Sequence, residues 1–230
     1  MLNRLLAATA LMGSLVLAAQ AHALPVTMQF SGTGVATVSC TDGAACDTAA
    51  LPGVVSFSTT NGILTIQLGG TGAATPALSP FDIDLSYSFI ANSGAGAGTF
   101  MIAASVSSLS GSVPGWAAMI DGNQTNGATT RFQAFADAGD ALFGTGTSLC
   151  SAGPTGAPSV HLSCAAGAFS DPSFSLTEVI TIATQAGITS VSGDALLSAV
   201  PVPEPTSLLL LGTALAGLGV LRCRSGRRSA

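Results

Sequence analysis

The C-terminal stretch constrains the possible folds of this chain more than any other, because it combines an apolar run with a cluster of arginines. Thr206–Leu221 contains sixteen residues and no charge, and it is followed by Arg222, Arg224, Arg227 and Arg228. A helix of this length measures roughly 24 Å, slightly less than the hydrocarbon core of a bilayer. The pattern predicts a transmembrane helix with its arginines on the cytoplasmic side. A buried core helix is the alternative that the length permits.

A proline–glutamate–proline tripeptide stands immediately before the apolar run. Pro203, Glu204 and Pro205, the helix predicted over 206–221 and the arginines follow one another within residues 201–230. This arrangement resembles the PEP-CTERM sorting signal of Gram-negative bacteria. The resemblance implies a partner, an exosortase-like membrane enzyme that processes the signal, in organisms that make exopolysaccharide. It assigns no activity to the rest of the chain.

Residues 1–23 have the three parts of a secretory signal peptide. Arg4 supplies the positive start, Leu5–Ala18 the apolar middle, and Ala21-His22-Ala23 the small-residue cleavage pattern, so that Leu24 becomes the new N-terminus. An uncleaved anchor is the alternative. We therefore predict an exported protein whose domain is first held in the periplasm by the inner membrane. Its final location is the outer surface or the extracellular matrix.

The predicted exported part carries almost only negative charge. All eleven acidic residues lie between Asp42 and Glu204, where Arg131 is the single base, so this stretch has a formal charge of −10. Nucleic acid is excluded as a partner, because its binding requires cations against the phosphates. A divalent cation or a neutral polysaccharide is compatible with this charge.

Residues 24–200 are predicted to form one domain. Apolar residues in this stretch recur at every second position, as they do in half-buried strands. Phe81–Phe89 alternates without a break between apolar and polar side chains, and Asn61-Gly62 is a strong hairpin signal between two further alternating stretches. Strands are predicted over 26–30, 56–60, 63–68, 81–89, 100–106, 130–136, 159–164, 174–184 and 188–196. Short strands separated by turn residues indicate an all-β fold, an antiparallel sandwich or jelly roll.

Four cysteines in an exported domain predict two disulfides. They are Cys40, Cys46, Cys150 and Cys164, and three pairings are possible. We favour Cys40–Cys46 with Cys150–Cys164, since each bond closes a local loop. The competing interpretation is a zinc site made of His161, Cys164 and another cysteine, although the tight C-x2-C spacing of such sites is missing.

Residues suited to catalysis are few. His161 is the only histidine after the predicted signal peptide, and Ser148 lacks the second glycine of a nucleophile elbow. Asp82 and Asp84 share one face of a predicted strand, where two carboxylates could hydrolyse a glycoside; we prefer a solvated strand face as their explanation. The sequence therefore predicts no catalytic residues and no enzymatic activity.

Two groups of residues are candidates for ligand binding. Asp121, Asn123 and Thr125 carry oxygens at alternate positions, as calcium loops do, although position twelve is Phe132 instead of glutamate. A polar turn is the alternative explanation of this segment. Trp116 either presents an aromatic face to a sugar or lies in the core. The sequence predicts no cofactor, and calcium is the only candidate ion.

These patterns lead to one functional hypothesis and two alternatives. The hypothesis is a non-enzymatic surface or extracellular-matrix protein that is processed by an exosortase and associated with exopolysaccharide. The first alternative is a β-sandwich module that binds polysaccharide or calcium. The second alternative is a secreted hydrolase, which the near absence of bases disfavours.

Overall fold

The computed structural model describes residues 22–23, 25–60, 64–75, 79–92, 94–200 and Thr213. Most of the predicted signal peptide and of the sorting segment, including Pro203-Glu204-Pro205, lies outside the described residues, so the cleavage site after Ala23 and the helix over 206–221 stay predictions. Within the part of the chain that is described, no helix has the length and apolar character needed to cross a membrane.

The described residues form thirteen strands, joined in antiparallel pairs. The strands are β1 (His22–Ala23), β2 (Val26–Gly32), β3 (Val35–Thr41), β4 (Val54–Thr60), β5 (Leu64–Thr75), β6 (Ser79–Ala91), β7 (Gly98–Val113), β8 (Trp116–Gln124), β9 (Thr129–Asp137), β10 (Thr147–Thr155), β11 (Ser159–Ala166), β12 (Phe169–Thr184) and β13 (Thr189–Ala199). The front sheet has the order β1-β5-β6-β13-β8-β11, with β4 also paired to β5, and the back sheet has the order β10-β9-β12-β7-β2-β3. The domain is therefore an antiparallel β-sandwich, as the sequence predicts.

Strand β6 shows why the two sheets pack together. Ile83, Leu85, Tyr87 and Phe89 are buried, whereas the intervening polar residues face outward. This alternation follows from the opposite directions of successive side chains in a strand. The back sheet contributes the opposing apolar layer, and the ring of Phe100 lies 4.8 Å from that of Phe89. Burial of this face leaves the polar residues of β6 on the outer surface of the front sheet.

The hairpin predicted at Asn61-Gly62 is confirmed by the pairing of its arms. β4 and β5 pair antiparallel from Thr60 opposite Thr65 to Val54 opposite Thr71. The turn itself lies outside the described residues. Four strands were not predicted: β1, which falls within the predicted signal peptide, and β3, β8 and β10, in which small and polar residues interrupt the apolar alternation.

The segment from Asp121 is a strand, so its interpretation as a calcium loop or a polar turn is wrong for residues 121–124. These residues belong to β8, which is hydrogen-bonded to β13 on one side and to β11 on the other. Asp, Asn and Gly disfavour strands when they are considered alone. Two flanking strands override that preference here, and the turn begins only at Thr125.

The disulfides are Cys40–Cys46 and Cys150–Cys164, the two pairs that the sequence favours, and both have a Cα–Cα distance of 5.8 Å. Cys150 lies on β10 and Cys164 on β11, so the second bond joins the back sheet to the front sheet. The zinc interpretation is wrong, because Cys164 is already bonded to Cys150. Among the described residues, no three His, Cys, Asp or Glu side chains are grouped to hold a metal ion.

Candidate functional site

A row of mostly polar residues crosses the outer face of the front sheet, with one residue on each of six strands. In the order of the strands, the cross-strand register places side by side Ser56, Gly69, Ser86, Asp194, Asp121 and His161. We call this set the polar row. Its serine, aspartate and histidine side chains are exposed or half-buried. Since the core lies on the opposite face of the sheet, these side chains point to solvent.

Four residues of the polar row, Ser56, Ser86, Asp194 and Asp121, line a groove with a volume of about 620 Å³. The next register row adds Ser88, Ser192 and Asn123 to the lining, again from three adjacent strands. The groove therefore presents hydroxyl, amide and carboxylate groups and contains no cation from the described residues. Such a surface forms hydrogen bonds with a polar ligand and repels anions.

A pair of glycines beneath the groove lets two of its strands approach closely. Gly122 on β8 lies directly opposite Gly193 on β13. A Cβ atom on Gly193 would overlap the carbonyl oxygen of Asp121 and would lie 2.9 Å from the Tyr87 hydroxyl oxygen. Only glycine fits this position without a shift of the backbone. The glycine pair thus brings the outward-facing Asp121 and Asp194 next to each other.

The two aspartates of the polar row each have a polar partner. The Ser86 hydroxyl donates a hydrogen bond to Asp194 Oδ1 at 2.5 Å, and His161 Nδ1 contacts Asp121 Oδ1. Within the described part of the chain, the second carboxylate oxygen of each aspartate has no hydrogen-bond partner. Two carboxylates in directly opposite positions repel each other. The partners offset this repulsion in part and leave acceptor oxygens for a ligand.

The predicted pair Asp82 and Asp84 lies outward on β6, beside the polar row. Asp82 accepts a hydrogen bond of 2.5 Å from the Ser198 hydroxyl. Desolvation by partial burial, with a smaller contribution from the negative charge of Asp194, raises the pKa of Asp84. The negative charges on this face therefore act on one another across neighbouring strands.

The outer face of the front sheet becomes apolar next to His161. A second groove of about 500 Å³ is lined by small and apolar residues, which include Ala117, Met119, Ala165 and Leu196. His161 also lines this groove, and 42% of the Met119 surface is exposed. A polar groove and an apolar groove therefore adjoin on a single sheet face.

The other candidate residues from the sequence are not brought together. Trp116 is 1% exposed and packs against Phe81, so it lies in the core and its role as a ligand contact is wrong. Thr125 lies beyond the end of β8, where its hydroxyl accepts a hydrogen bond from the Ser190 N–H at 2.9 Å, so it does not converge with Asp121. Ser148 lies on β10 in the back sheet, on the other sheet from His161.

Sequence reasoning missed Ser86, Ser192 and Asp194 as site residues. Ser86 and Asp194 are 108 positions apart in the chain, and only the pairing of β6 with β13 makes them neighbours. The outward positions of Ser86 and Ser88 could be deduced from the alternation of Phe81–Phe89. Their partners could not, because that pattern contains no information about which strand lies beside β6.

Comparison with known families finds a match at the C-terminal end of the chain. Residues 201–228 match the model of the PEP-CTERM protein-sorting motif. The chain carries a PEP-CTERM sorting signal. The match includes Pro203, Glu204, Pro205 and the arginines that carry the resemblance in the sequence. This signal implies export, a membrane-anchored stage and processing by exosortase, a membrane enzyme.

The sandwich of this PEP-CTERM protein resembles several solved β-structures. TmCBM61 in complex with β-1,4-galactotriose is 11% identical, with 64% of this chain and 87% of that chain covered and a TM-score of 0.36. The CBM22-1 xylan-binding domain from Paenibacillus barcinonensis is 14% identical, with coverages of 66% and 88% and a TM-score of 0.31. The adhesin domain of Epf from Streptococcus pyogenes is 9% identical, with coverages of 75% and 57% and a TM-score of 0.36. No curated protein matches the chain.

Proposed function

We propose that this PEP-CTERM protein is a non-enzymatic, exported β-sandwich that binds polysaccharide in the groove over the polar row. After processing by an exosortase, it remains with exopolysaccharide at the cell surface or in the extracellular matrix. The observation that carries this proposal is the groove itself, in which hydroxyl, amide and carboxylate groups from four strands of the front sheet, β4, β6, β13 and β8, face solvent together.

The chemistry of the groove favours a neutral polysaccharide over an acidic one. Sugar hydroxyls can donate to the unpartnered carboxylate oxygens of Asp121 and Asp194, and hydrogen bonds to a charged acceptor are stronger than neutral ones. The amide of Asn123 can both donate and accept. A uronic acid or sulfated polymer would instead meet two carboxylates and a strongly negative domain.

The second, apolar groove suits the apolar faces of sugar rings. Sugar rings expose C–H groups on their faces and hydroxyls around their edges. Met119 and Leu196 offer apolar contact, and each lies two residues along its strand from Asp121 or Asp194. Binding sites in general combine apolar lining with a few polar groups that orient the ligand. A sugar chain can therefore use both grooves at once.

The proposal is tested with full-length protein in detergent and a panel of neutral and acidic polysaccharides. Asp121→Asn and Asp194→Asn remove the two charged acceptors, and the combined variant should bind at least tenfold more weakly, since each such hydrogen bond contributes about 1.5–3 kcal/mol. Asp171→Asn on the back-sheet strand β12 is the matched control and should bind like the wild type. Failure of the wild type to bind any neutral polysaccharide contradicts the proposal, as does equal binding by all variants.

One observation favours the second alternative, a secreted hydrolase. Asp121 contacts His161 Nδ1 and could orient the imidazole as a general base. Within the described residues, however, no serine, threonine or cysteine side chain forms a hydrogen bond with that ring. A hydrolase would release new reducing ends from the bound polysaccharide and would lose this activity on His161→Ala. We expect no release by either protein.

A further inference from the structure

Both ends of the described domain lie at the same end of the sandwich. Ala23 pairs with Ala73, Ala73 with Asp82, and Asp82 with Ser198. These four residues form one register row across four adjacent strands of the front sheet. Adjacent strands are about 4.8 Å apart, so Ala23 and Ser198 are separated by roughly 14 Å. Before the predicted cleavage after Ala23, the chain therefore enters and leaves the domain within a short distance.

The exit point of the chain is fixed by a backbone hydrogen bond. The Val200 N–H donates to the Gly115 carbonyl oxygen at 2.9 Å. The matched sorting motif begins with the next residue, 201. Six residues lead from Val200 to Thr206, where the predicted membrane helix begins, and a fully extended chain of that length spans at most about 22 Å. This end of the sandwich is thus held close to the bilayer while the helix is inserted.

The two connections beside the exit point carry no charged side chain, whereas the adjoining strands β6 and β12 carry Asp82 and Asp171. Gly115 lies against both Ala166 and Val200, since a Cβ on it would be 3.3 Å from the Ala166 carbonyl oxygen and 3.9 Å from Val200 Cβ. The β7–β8 and β11–β12 connections therefore flank Val200, which is 44% exposed. We call the following set the tether surface: Ser112, Pro114, Gly115, Gly167, Ala168 and Val200. An uncharged surface can approach lipid headgroups without the cost of desolvating an ionised group.

The polar row lies well away from this surface. Asp194 precedes Val200 by six residues along β13, and a strand rises about 3.4 Å per residue. The groove over the polar row is therefore roughly 20 Å from the tether surface, measured along the strands. A protein held at the tether surface keeps the groove over the polar row clear of the membrane, whereas the apolar groove, which reaches Ala117 and Ser198, lies nearer to it.

We propose that the tether surface lies against the lipid headgroups while the sorting signal is still inserted in the membrane. In this state the strands of the front sheet run away from the bilayer, and the groove over the polar row is open to polysaccharide before any processing. This orientation rests on the proposed membrane-anchored stage. It goes beyond that stage in one respect, because polysaccharide can bind before the protein is released from the membrane.

Fluorescence quenching in lipid vesicles tests this orientation. Full-length protein with Cys223→Ser is given a single label at Ala168→Cys, within the tether surface, or at the matched Ala186→Cys. Ala186 is an exposed alanine in the β12–β13 connection, at the opposite end of the sandwich. With a quencher attached to the lipid headgroups, the label at position 168 should be quenched several-fold more strongly than the label at position 186.

The outcomes separate this inference from the proposed function. Equal quenching at both positions, or stronger quenching at 186, overturns the orientation. The vesicles contain no other protein, so a tether surface that contacts only a protein partner would also give equal quenching and overturn the proposal. Failure of the protein to sediment with the vesicles overturns the anchored stage together with the orientation. Polysaccharide binding is measured separately in detergent, so that loss of the groove's function is recognised on its own.

Discussion

Two register rows of the sandwich place carboxylates in opposite environments. The polar row exposes Asp121 and Asp194 beside a histidine and a serine. A second row crosses the inner face of the back sheet, and we call it the buried row: Cys150, Ala134, Glu178, Ala104, Met28 and Cys40. Glu178 is 0% exposed, and neither of its oxygens has a hydrogen-bond partner among the described residues. The same functional group is thus available to a ligand in one row and isolated from water in the other.

The neighbours of Glu178 explain its state. Ala104 and Ala134 flank it on the adjacent strands, and their methyl groups offer no hydrogen bond. Burial, with a smaller contribution from the charge of Asp84, raises the pKa of Glu178 well above its usual range. The folded protein therefore holds this side chain as a neutral acid. The comparison shows that the face of a strand decides whether a carboxylate is exposed to solvent or reduces stability.

The largest expected effect is a pH dependence of stability caused by Glu178. In the unfolded chain its carboxyl loses a proton above about pH 4.3, whereas the folded protein keeps the proton. The free energy of unfolding is therefore highest below that pH and falls by about 1.4 kcal/mol per pH unit as the pH rises toward the folded pKa. Denaturant titrations from pH 4 to 8 should show this slope in the wild type and lose it in Glu178→Gln. Identical slopes in both proteins would show that Glu178 is not buried as a neutral acid.

Removal of the disulfide at one end of the buried row should have the next largest effect. Cys150 and Cys164 are 14 positions apart, so their disulfide closes the longer of the two loops. The combined Cys150→Ala and Cys164→Ala variant should therefore lose about 3 kcal/mol in the free energy of unfolding. Cys40 and Cys46 are 6 apart, so their loss should cost less, about 2 kcal/mol. Thermal unfolding under non-reducing conditions measures both. The reverse order would argue against loop entropy as the cause.

Replacement of Glu178 by methionine should stabilise the domain. At pH 4 the glutamate is neutral in the folded protein and mostly neutral in the unfolded protein, so its missing hydrogen bonds are the main difference from an apolar side chain of similar volume. Glu178→Met should raise the free energy of unfolding by about 1–3 kcal/mol. Glu178→Gln, measured at the same pH, is the control and should gain little, because its amide has no partner either. A methionine variant that is no more stable than the glutamine variant would reveal an unrecognised partner of Glu178.

The smallest effect is expected in the polar row. Asp194→Asn keeps the size of the side chain and an oxygen that accepts from Ser86, while it removes the repulsion from Asp121. The free energy of unfolding at pH 7 should rise by about 0.2–1 kcal/mol, and the gain should shrink in high salt. A loss of stability would mean that the negative charge of Asp194 is itself required by the fold.

Local patterns in the sequence predicted the local parts of this structure. The alternation of Phe81–Phe89, the hairpin at Asn61-Gly62 and two disulfides that close short loops are each encoded within a few neighbouring residues. The inward position of Glu178 could also be predicted from the sequence, because Phe174 and Ile180 lie an even number of residues away on β12 and therefore on the same face. The polar row could not be predicted, because it depends on which strands, distant in sequence, become neighbours in the sheet. The burial of Trp116 likewise depends on packing against Phe81, which is remote in sequence.

The most direct test of the proposed function observes the carboxylates themselves. Carbon NMR of full-length protein labelled at the Asp and Glu carboxyl groups, titrated with a neutral oligosaccharide, distinguishes the two rows. We predict that the signals of Asp121 and Asp194 shift with saturation while those of Glu178 and the back-sheet Asp171 stay in place. Unchanged Asp121 and Asp194 signals at saturating ligand would contradict the account, as would shifts centred on Asp171.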